Sequence, residues 1–559
     1  MNTAGFTPAD GIKRYLNNPN LRAANQHMQL TKEQVQEWIK CKRDPEYFIE
    51  NYIRILDVDK NTLVPFKPRP FQKELINKIN NHRFVIGKVS RQVGKTTAVG
   101  AYIIHQLIFF SNMQIGIFAN KGEVAKGILE KLQKSYELLP LWMQQGIVEW
   151  NKHTCQFENG SKLIATATAS SSGRSGTYNM IMLDEFAFVE RHIADDFFTS
   201  VFPTISSGST TKVVMISTPK GMNLFYKFWN DAIEKRNGYV TVEGDWRSHP
   251  NRDAAWKAQE IAIMGEEKFR QEHECEFIGS QNTLISPTKL KELSYSTPLS
   301  KTQCLSIYEE PHPDKIYMIT VDCSHGQGLD YSTFSVFDCT QFPYKQVCTY
   351  RDKSIDPTIF PTYIYNAAKK YNDAFVLVEN NDIGAAIVNS LHADLEYENI
   401  FSTLSMGRGG QQISSGFKKG AKLGVRTTSA LKKVACANLK SLVENNKLLI
   451  RDFDTISELN TFVADKQSFS AEEGSNDDMV MTLVLFSWLN NQPLFKDLTN
   501  VDIRKKLFEQ QLNSIQEQLL PFGIICNGEP EPEQFVDAKG DVIWTVDETF
   551  GWHQDDEEY

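Results

Sequence analysis

Two successive α/β domains joined by a hinge are what this sequence predicts, and three observations carry the prediction. From Phe84 onward, apolar β-rich runs alternate with helical ones (FVIGKVS, 96–110, MQIGIFAN, 123–138, MIMLDE, KVVMIS), the pattern of a mostly parallel sheet crossed by helices. A second strand-rich block begins at Lys315 with KIYMITVD, STFSVFD and QVCTYRD, continues with FVLVEN, and closes with the strongly apolar helix 479–489. Between them, 301–313 carries Pro311 and Pro313 and no long apolar run, so it reads as the hinge.

Taken in order, residues 1–54 mix polar and helix-forming runs and read as an N-terminal arm. In TKEQVQEWIK, Thr31 followed by Glu33 and Gln34 suits a capped helix start. Residues 55–234 hold the first alternating block, and the polar segment 235–300 is helical over 254–273. The second block fills 301–500, and 501–559 ends in an acidic tail.

A chain of 559 residues has room for roughly two to four units, each with its own core. Its 41% apolar and 23% charged residues are ordinary soluble usage, which excludes a disulfide-stapled module or a generally disordered chain. The nine cysteines are odd in number and lack C-x-x-C or zinc spacing, so reduced, buried thiols are expected. No signal-like start and no uncharged apolar run of ~18 residues is found, so no membrane partner is expected and the cytoplasm is the expected location.

A net charge of −9 argues at face value against a nucleic-acid partner. Residues 528–559, however, hold eleven acids and one lysine, leaving the rest of the chain at +1. From Asn399 to Val443 there is no acid, while Arg408, Lys418, Lys419, Lys422, Arg426, Lys432, Lys433 and Lys440 make the stretch +8. Such a stretch suits a phosphate backbone. A loop that is basic for solubility alone is the plainer alternative.

The run Ser90, Arg91, Gln92, Val93, Gly94, Lys95, Thr96, Thr97 follows a strand and opens a helix. A P-loop needs a glycine where amides crowd the phosphates, a lysine for the β/γ oxygens and a hydroxyl for Mg²⁺; Gly94, Lys95 and Thr96 supply them. Val89 replaces the first glycine of G-x-x-x-x-G-K-T, so an ordinary strand-to-helix turn competes on the motif alone. Context favours the P-loop, because the apolar strand 180–183 ends in Asp184-Glu185. One acid there suits Mg²⁺ and the next suits the attacking water. A third strand ends in Ser217-Thr218-Pro219, either a γ-phosphate sensor or a simple turn. Arg91 in the loop and Arg174 in SSSGRSG are the candidate arginine fingers, with a surface arginine as the plain reading of either. Gln72, in PRPFQKEL, resembles the adenine-reading glutamine of helicase-like ATPases.

In the second block Asp322 ends a strand, Glu379 sits on FVLVEN, and Asp477-Asp478 open the apolar helix. Carboxylates from three distant segments suit two Mg²⁺ or Mn²⁺ across a scissile phosphate, in an order that resembles an RNase H-like fold. Each alone is equally well a solvated strand-end or helix-start acid. The turn 324–328 with Asp330 lies beside them.

CKRDPEYFIENYIRI, SRQVGKTT, MIMLDE, STPKG, FRQEHECEFIGSQNTLIS, VDCSHGQGLDYSTFSVFD, LVEN and NDDMVMTLVLFSWL, in this order over about 41–490, together resemble the large terminase subunit of T-even-type tailed phages. In that family an arginine-bearing loop without the first glycine is usual. The resemblance implies an ASCE-type P-loop ATPase with a small lid, built from the N-terminal arm and residues 235–300, followed by an RNase H-like nuclease. It implies ATP-driven translocation of double-stranded DNA into a capsid and cutting of concatemeric DNA. Lys95 and Thr96 would bind phosphate and Mg²⁺, Arg91 would act in cis, Asp184 would face the metal and Glu185 would be catalytic. Ser217 and Thr218 would couple, and Gln72 would contact adenine. Asp322, Glu379 and Asp478 would be the metal triad, with Asp477 able to exchange with Asp478. The implied partners are portal protein, small terminase subunit and further copies in a pentameric ring, in the host cytoplasm and transiently on the procapsid portal vertex, not in the mature virion. Two departures are His325, where an acid is expected, and Asn476, where histidine is usual. A helicase-like ATPase that grips without cutting, and a capsid-binding protein with a decayed ATPase, are opposed by the intact acids and Lys95.

Overall fold

The computed structural model describes residues 11–57, 61–169, 177–280, 282–326, 330–407, 410–414, 420–465, 468–499, 534–536 and 542–545. Strands β1 (Phe84–Val89), β2 (Gln114–Ala119), β3 (Ile147–Trp150), β4 (Thr154–Phe157), β5 (Lys162–Ala167), β6 (Met180–Asp184), β7 (Lys212–Ser217) and β8 (Tyr239–Gly244) form one sheet, in the order β8-β1-β7-β6-β2-β5-β4-β3. The strands from β8 to β5 run parallel; β4 and β3 are antiparallel at one edge. Every residue of β6 is buried, as continuous apolar runs covered on both faces require. The order sets the ends of β1, β7 and β6 side by side, which brings the phosphate loop, Ser217 and Asp184 together.

Helices α1 (Lys32–Arg43), α2 (Pro45–Tyr52), α3 (Pro70–Asn81), α4 (Lys95–Phe109) and α5 (Arg191–Ser207) belong to this layer. Beyond its first turn α4 is apolar on nearly every side and buried, as a helix inside a large core must be. The N-terminal arm differs from its expected place in a lid. Leu21, Cys41, Phe48, Ile49 and Ile53 join the hydrophobic core of the first sheet, and His105 on α4 bonds the Cys41 carbonyl at 2.9 Å. The arm's buried apolar face finds its partner there. The range 235–300 also divides: β8 completes the first sheet, and α6 (Ala254–Met264) and α7 (Glu266–Glu272) follow it as a helical segment. Trp246, Trp256, Phe269 and His273 form its aromatic core.

The second sheet holds β9 (Ser300–Lys301), β10 (Leu305–Ile307), β11 (Tyr317–Asp322), β12 (Ser332–Asp338), β13 (Tyr344–Asp352) and β14 (Phe375–Val378), in the order β9-β10-β13-β12-β11-β14. Only the β11–β14 pair on this path is parallel. The expected hinge at 301–313 is therefore corrected: its first residues are edge strands of this sheet, too short to show a period in sequence. Helices α8 (Phe453–Leu459) and α9 (Asp478–Asn490) follow. Thr482 on α9 is bonded by Thr320 and Ser335 of the sheet, both at 2.8 Å, which pins the otherwise apolar helix in one register.

Residues 1–494 form one unit and 495–559 another. In the second, the described residues include the antiparallel hairpin Gln534–Val536/Val542–Thr545. The acidic tail otherwise lies outside the described residues, as do Arg174, Arg408, Lys418 and Lys419. Within the first unit the segment after α7 joins the second domain through Leu284 N to Phe462 O (3.0 Å) and Ala464 N to Asn282 O (3.0 Å). Arg191 on α5 pairs with Asp454 on α8, and Ser457 donates to the Met222 carbonyl at 3.1 Å. Among the described residues no helix is long and apolar enough to cross a membrane, and the eight described cysteines are all free thiols.

Candidate active sites

The loop 90–97 is shaped by its own backbone and held by the segment 244–273. Gly94 has φ +88° and opens α4, a left-handed conformation that favours glycine; a Cβ there would come within 2.6 Å of Gln72 Nε2 and displace that side chain. Ser90 N donates to Gly244 O (2.7 Å) and Arg91 N to Glu272 O (3.0 Å). Arg252 donates to Arg91 O at 3.1 Å, and Ser90 Oγ lies 3.4 Å from His273 Nδ1. Burial, with Arg252 and Arg91 nearby, pushes His273 down to about 4, so this ring is neutral. Val93 packs with Phe71 and Val89.

The acids stand where β6 ends. Thr96 Oγ1 donates to Asp184 at 3.1 Å. Burial first, then Glu185, pushes the Asp184 carboxyl up to about 6. Glu185 sits at φ +50°, a left-handed conformation that costs a non-glycine residue about 1–2 kcal/mol. The strain aims its carboxylate. Oε2 accepts from Ser217 Oγ (3.2 Å), Thr218 N (3.2 Å) and Thr218 Oγ1 (3.3 Å), and Oε1 pairs with Lys95 Nζ at 2.7 Å. One side chain thus joins the loop, the acidic strand and the third strand end.

Arg91 and Gln92 are exposed at the loop mouth, Arg91 3.9 Å from Glu272. Gln72 departs from its expected role. Its amide donates to Val93 O (3.3 Å) and Gly94 O (3.0 Å), while its oxygen accepts from Arg69 N (2.8 Å). Only 2% exposed, it has both amide hydrogens spent on the loop backbone, as a strut beneath the loop would.

In the second domain, Asp322, Asp330, Asp477 and Asp478 line one cavity of about 320 Å³ with His325 and Asp382. Glu379 does not line this cavity but is close enough to Asp322 to act on its carboxyl; Asn381 donates to Glu379 Oε1 at 2.7 Å. Loss of solvent, then Glu379, Asp478 and Asp477, holds Asp322 well above the usual carboxylate range. Burial, with Asp330 and Asp477 opposing the Tyr331 backbone, pushes Asp478 up to about 7. Its Oδ2 is buried without a hydrogen-bond partner. Among the described residues no three acidic, histidine or cysteine donors stand close enough to hold an ion as they are, so binding requires small side-chain adjustments. Crowded carboxylates with an unpartnered oxygen are nonetheless a hard-oxygen donor set that fits Mg²⁺ or Mn²⁺. His325, at the expected acid's position, bonds Asp382 at 2.6 Å, and Lys432 of the basic stretch reaches Asp477 at 3.4 Å.

Sequence reasoning missed Arg252, Glu272 and His273, which grip the loop from a distant segment, and also Glu458 and Arg351 beside the acids.

A family model described as "Terminase large subunit, T4likevirus-type, N-terminal" matches residues 86–292, and one described as "Terminase RNaseH-like domain" matches 319–486. The chain belongs to the large terminase subunits. It is an ATPase and a nuclease of viral DNA packaging. A relative named "Terminase, large subunit" from Thermus virus P23-45 is 24% identical over 463 residues, covering 76% of this chain and 87% of its own. Similar solved structures include the HK97 bacteriophage large terminase (15% identity, TM-score 0.46, 79% of this chain, 99% of that one). The magnesium-bound nuclease of the large terminase from phage G20c is another (22% identity, TM-score 0.30, 37% and 97%). The family assignment rests on the two domain matches and their order.

Proposed function

We propose that the two sites divide the work residue by residue as follows. The loop amides and Lys95 bind the phosphates of ATP, Thr96 and Asp184 hold Mg²⁺, and exposed Arg91 turns to the γ-phosphate. Glu185 orients water and accepts its proton, and loss of the γ-phosphate is felt at Ser217 and Thr218 through the carboxylate they share. The observation that carries this is that single Glu185 side chain bonded to all three elements.

Asp322, Glu379, Asp477 and Asp478 hold the nuclease ions. Two Mg²⁺ or Mn²⁺ there would supply Lewis-acid stabilisation of the scissile phosphate. The acid cavity shares Asp382 with a larger groove of about 1430 Å³ lined by Lys422 and Arg426, which suits the backbone of double-stranded DNA. Calorimetric titration of the full chain with Mn²⁺ tests the ion count: two sites weakened together by Asp322→Asn are expected, and a single site contradicts it. The chain works as a pentameric ring with the portal protein and small terminase subunit. Its place is the host cytoplasm and the procapsid portal vertex, and it is absent from the mature virion. Five chains counted per portal vertex support the ring, and any other number contradicts it.

A further inference from the structure

The first turn of α9 carries Asp478, and its buried amides are not satisfied in the ordinary way. The residue before the helix, Asp477, makes no side-chain cap. Instead Glu458, from α8, reaches across with one oxygen. Its Oε2 accepts from Met479 N at 2.7 Å and Val480 N at 3.2 Å. Its Oε1 accepts no hydrogen bond and faces Arg351 Nη2 at 3.3 Å, whose guanidinium lies 3.6 Å from the centre of the Tyr331 ring. Glu458 is 2% exposed and does not line the acid cavity. From the opposite side, Thr333 donates to the Asp478 carbonyl at 3.0 Å.

We propose that Glu458 is a positioning residue of the nuclease site, which holds the first turn of α9 and so aims Asp478 at the metal. The physical reason is that helix-start amides need acceptors, and buried ones cannot borrow water. A carboxylate supplied by a neighbouring helix fixes the turn in space as well as satisfying it, which a local cap does not. Arg351 in turn fixes the carboxylate. Partners one step removed from a metal set the direction of its ligands, and their loss typically weakens metal affinity about 10- to 100-fold. Glu458 is buried and lies outside the acid cavity, so it acts through Asp478.

This inference rests on the reading of the acid cavity as the metal site, and the test separates the two. Mn²⁺ affinity of the full chain is measured by calorimetry and by the electron paramagnetic resonance of free Mn²⁺, with thermal midpoint and ATP hydrolysis followed in parallel. Glu458→Gln is expected to weaken Mn²⁺ binding about tenfold or more, with ATP hydrolysis unchanged. Glu458→Asp, which keeps the charge but shortens the reach, should fall between it and the parent, and serves if the glutamine variant does not fold. In an Asp478→Asn background Glu458→Gln should add nothing further. If Asp322→Asn loses Mn²⁺ while Glu458→Gln binds it like the parent, the positioning role is overturned and the metal site stands. A full additional loss in the Asp478→Asn background also overturns it. If Asp322→Asn itself binds Mn²⁺ unchanged, the metal-site reading falls and this inference with it.

Discussion

Lys95 Nζ and Glu185 Oε1 form an ion pair of 2.7 Å, so the cation we propose for phosphate binding and the carboxylate we propose to orient water hold each other. On that proposal, phosphate oxygens entering the loop would compete for Lys95 and release one oxygen of Glu185, the other being held by Ser217 and Thr218. Arrival of substrate would thereby arm the base.

Glu185→Gln is accordingly expected to keep nucleotide binding within a few-fold and to lower ATP hydrolysis about 10²- to 10⁴-fold, the usual worth of a positioned base. Lys95→Ala should lose binding itself. Equilibrium binding of a fluorescent ATP analogue beside steady-state turnover separates the two. A glutamine variant that turns over like the parent would remove Glu185 from the mechanism.

Gln72 gives a second prediction, because a strut and a base reader fail differently. With its amide spent on Val93 and Gly94, Gln72→Ala should loosen the loop and lower kcat/KM for ATP and GTP by the same factor. A base reader would instead lose its preference for ATP over GTP. The ratio of the two kcat/KM values, parent against variant, decides.

His105 ties the N-terminal arm to α4 and is 1% exposed. Nε2–H donates to Cys41 O (2.9 Å) and Nδ1 accepts from Gln106 (3.1 Å), the arrangement of a neutral ring. Burial pushes it down to about 4 from 6.5. A lowered folded value means its stabilisation is complete above 6.5 and is lost as pH falls from there toward 4. One pH unit below 6.5 its share of the loss is about 1.4 kcal/mol. Thermal midpoints at pH 7.5 and 5.5 should show a smaller drop for His105→Gln than for the parent; equal drops would refute the assignment. His273, shifted the same way, remains in both proteins and does not blur the comparison.

What could be read in the sequence was chemistry written over a few adjacent residues. The loop 90–97, Asp184-Glu185 and Asp477-Asp478 announce themselves because strand ends and helix starts are local features, and all fall where the sheets place them. Gln72 misled because, as the third residue of α3, it accepts from the Arg69 backbone amide, which in sequence looks the same as a glutamine free to contact a base. The arm was misplaced because an apolar helix face records that it is buried, not against what. The edge strands β9 and β10 have two and three residues, below the length at which alternation is visible. Glu458 was invisible for a different reason: its partners are backbone amides about twenty residues on, and amides leave no trace in a sequence.

The most direct test is digestion of a circular plasmid in Mg²⁺ by the parent, Asp322→Asn and Lys95→Ala, with ATP turnover measured in the same tubes. Two independent sites predict that Asp322→Asn hydrolyses ATP but does not cut, while Lys95→Ala cuts but does not hydrolyse. Undiminished cutting by Asp322→Asn would contradict the account, because the acid cavity of the second domain would not then be the nuclease.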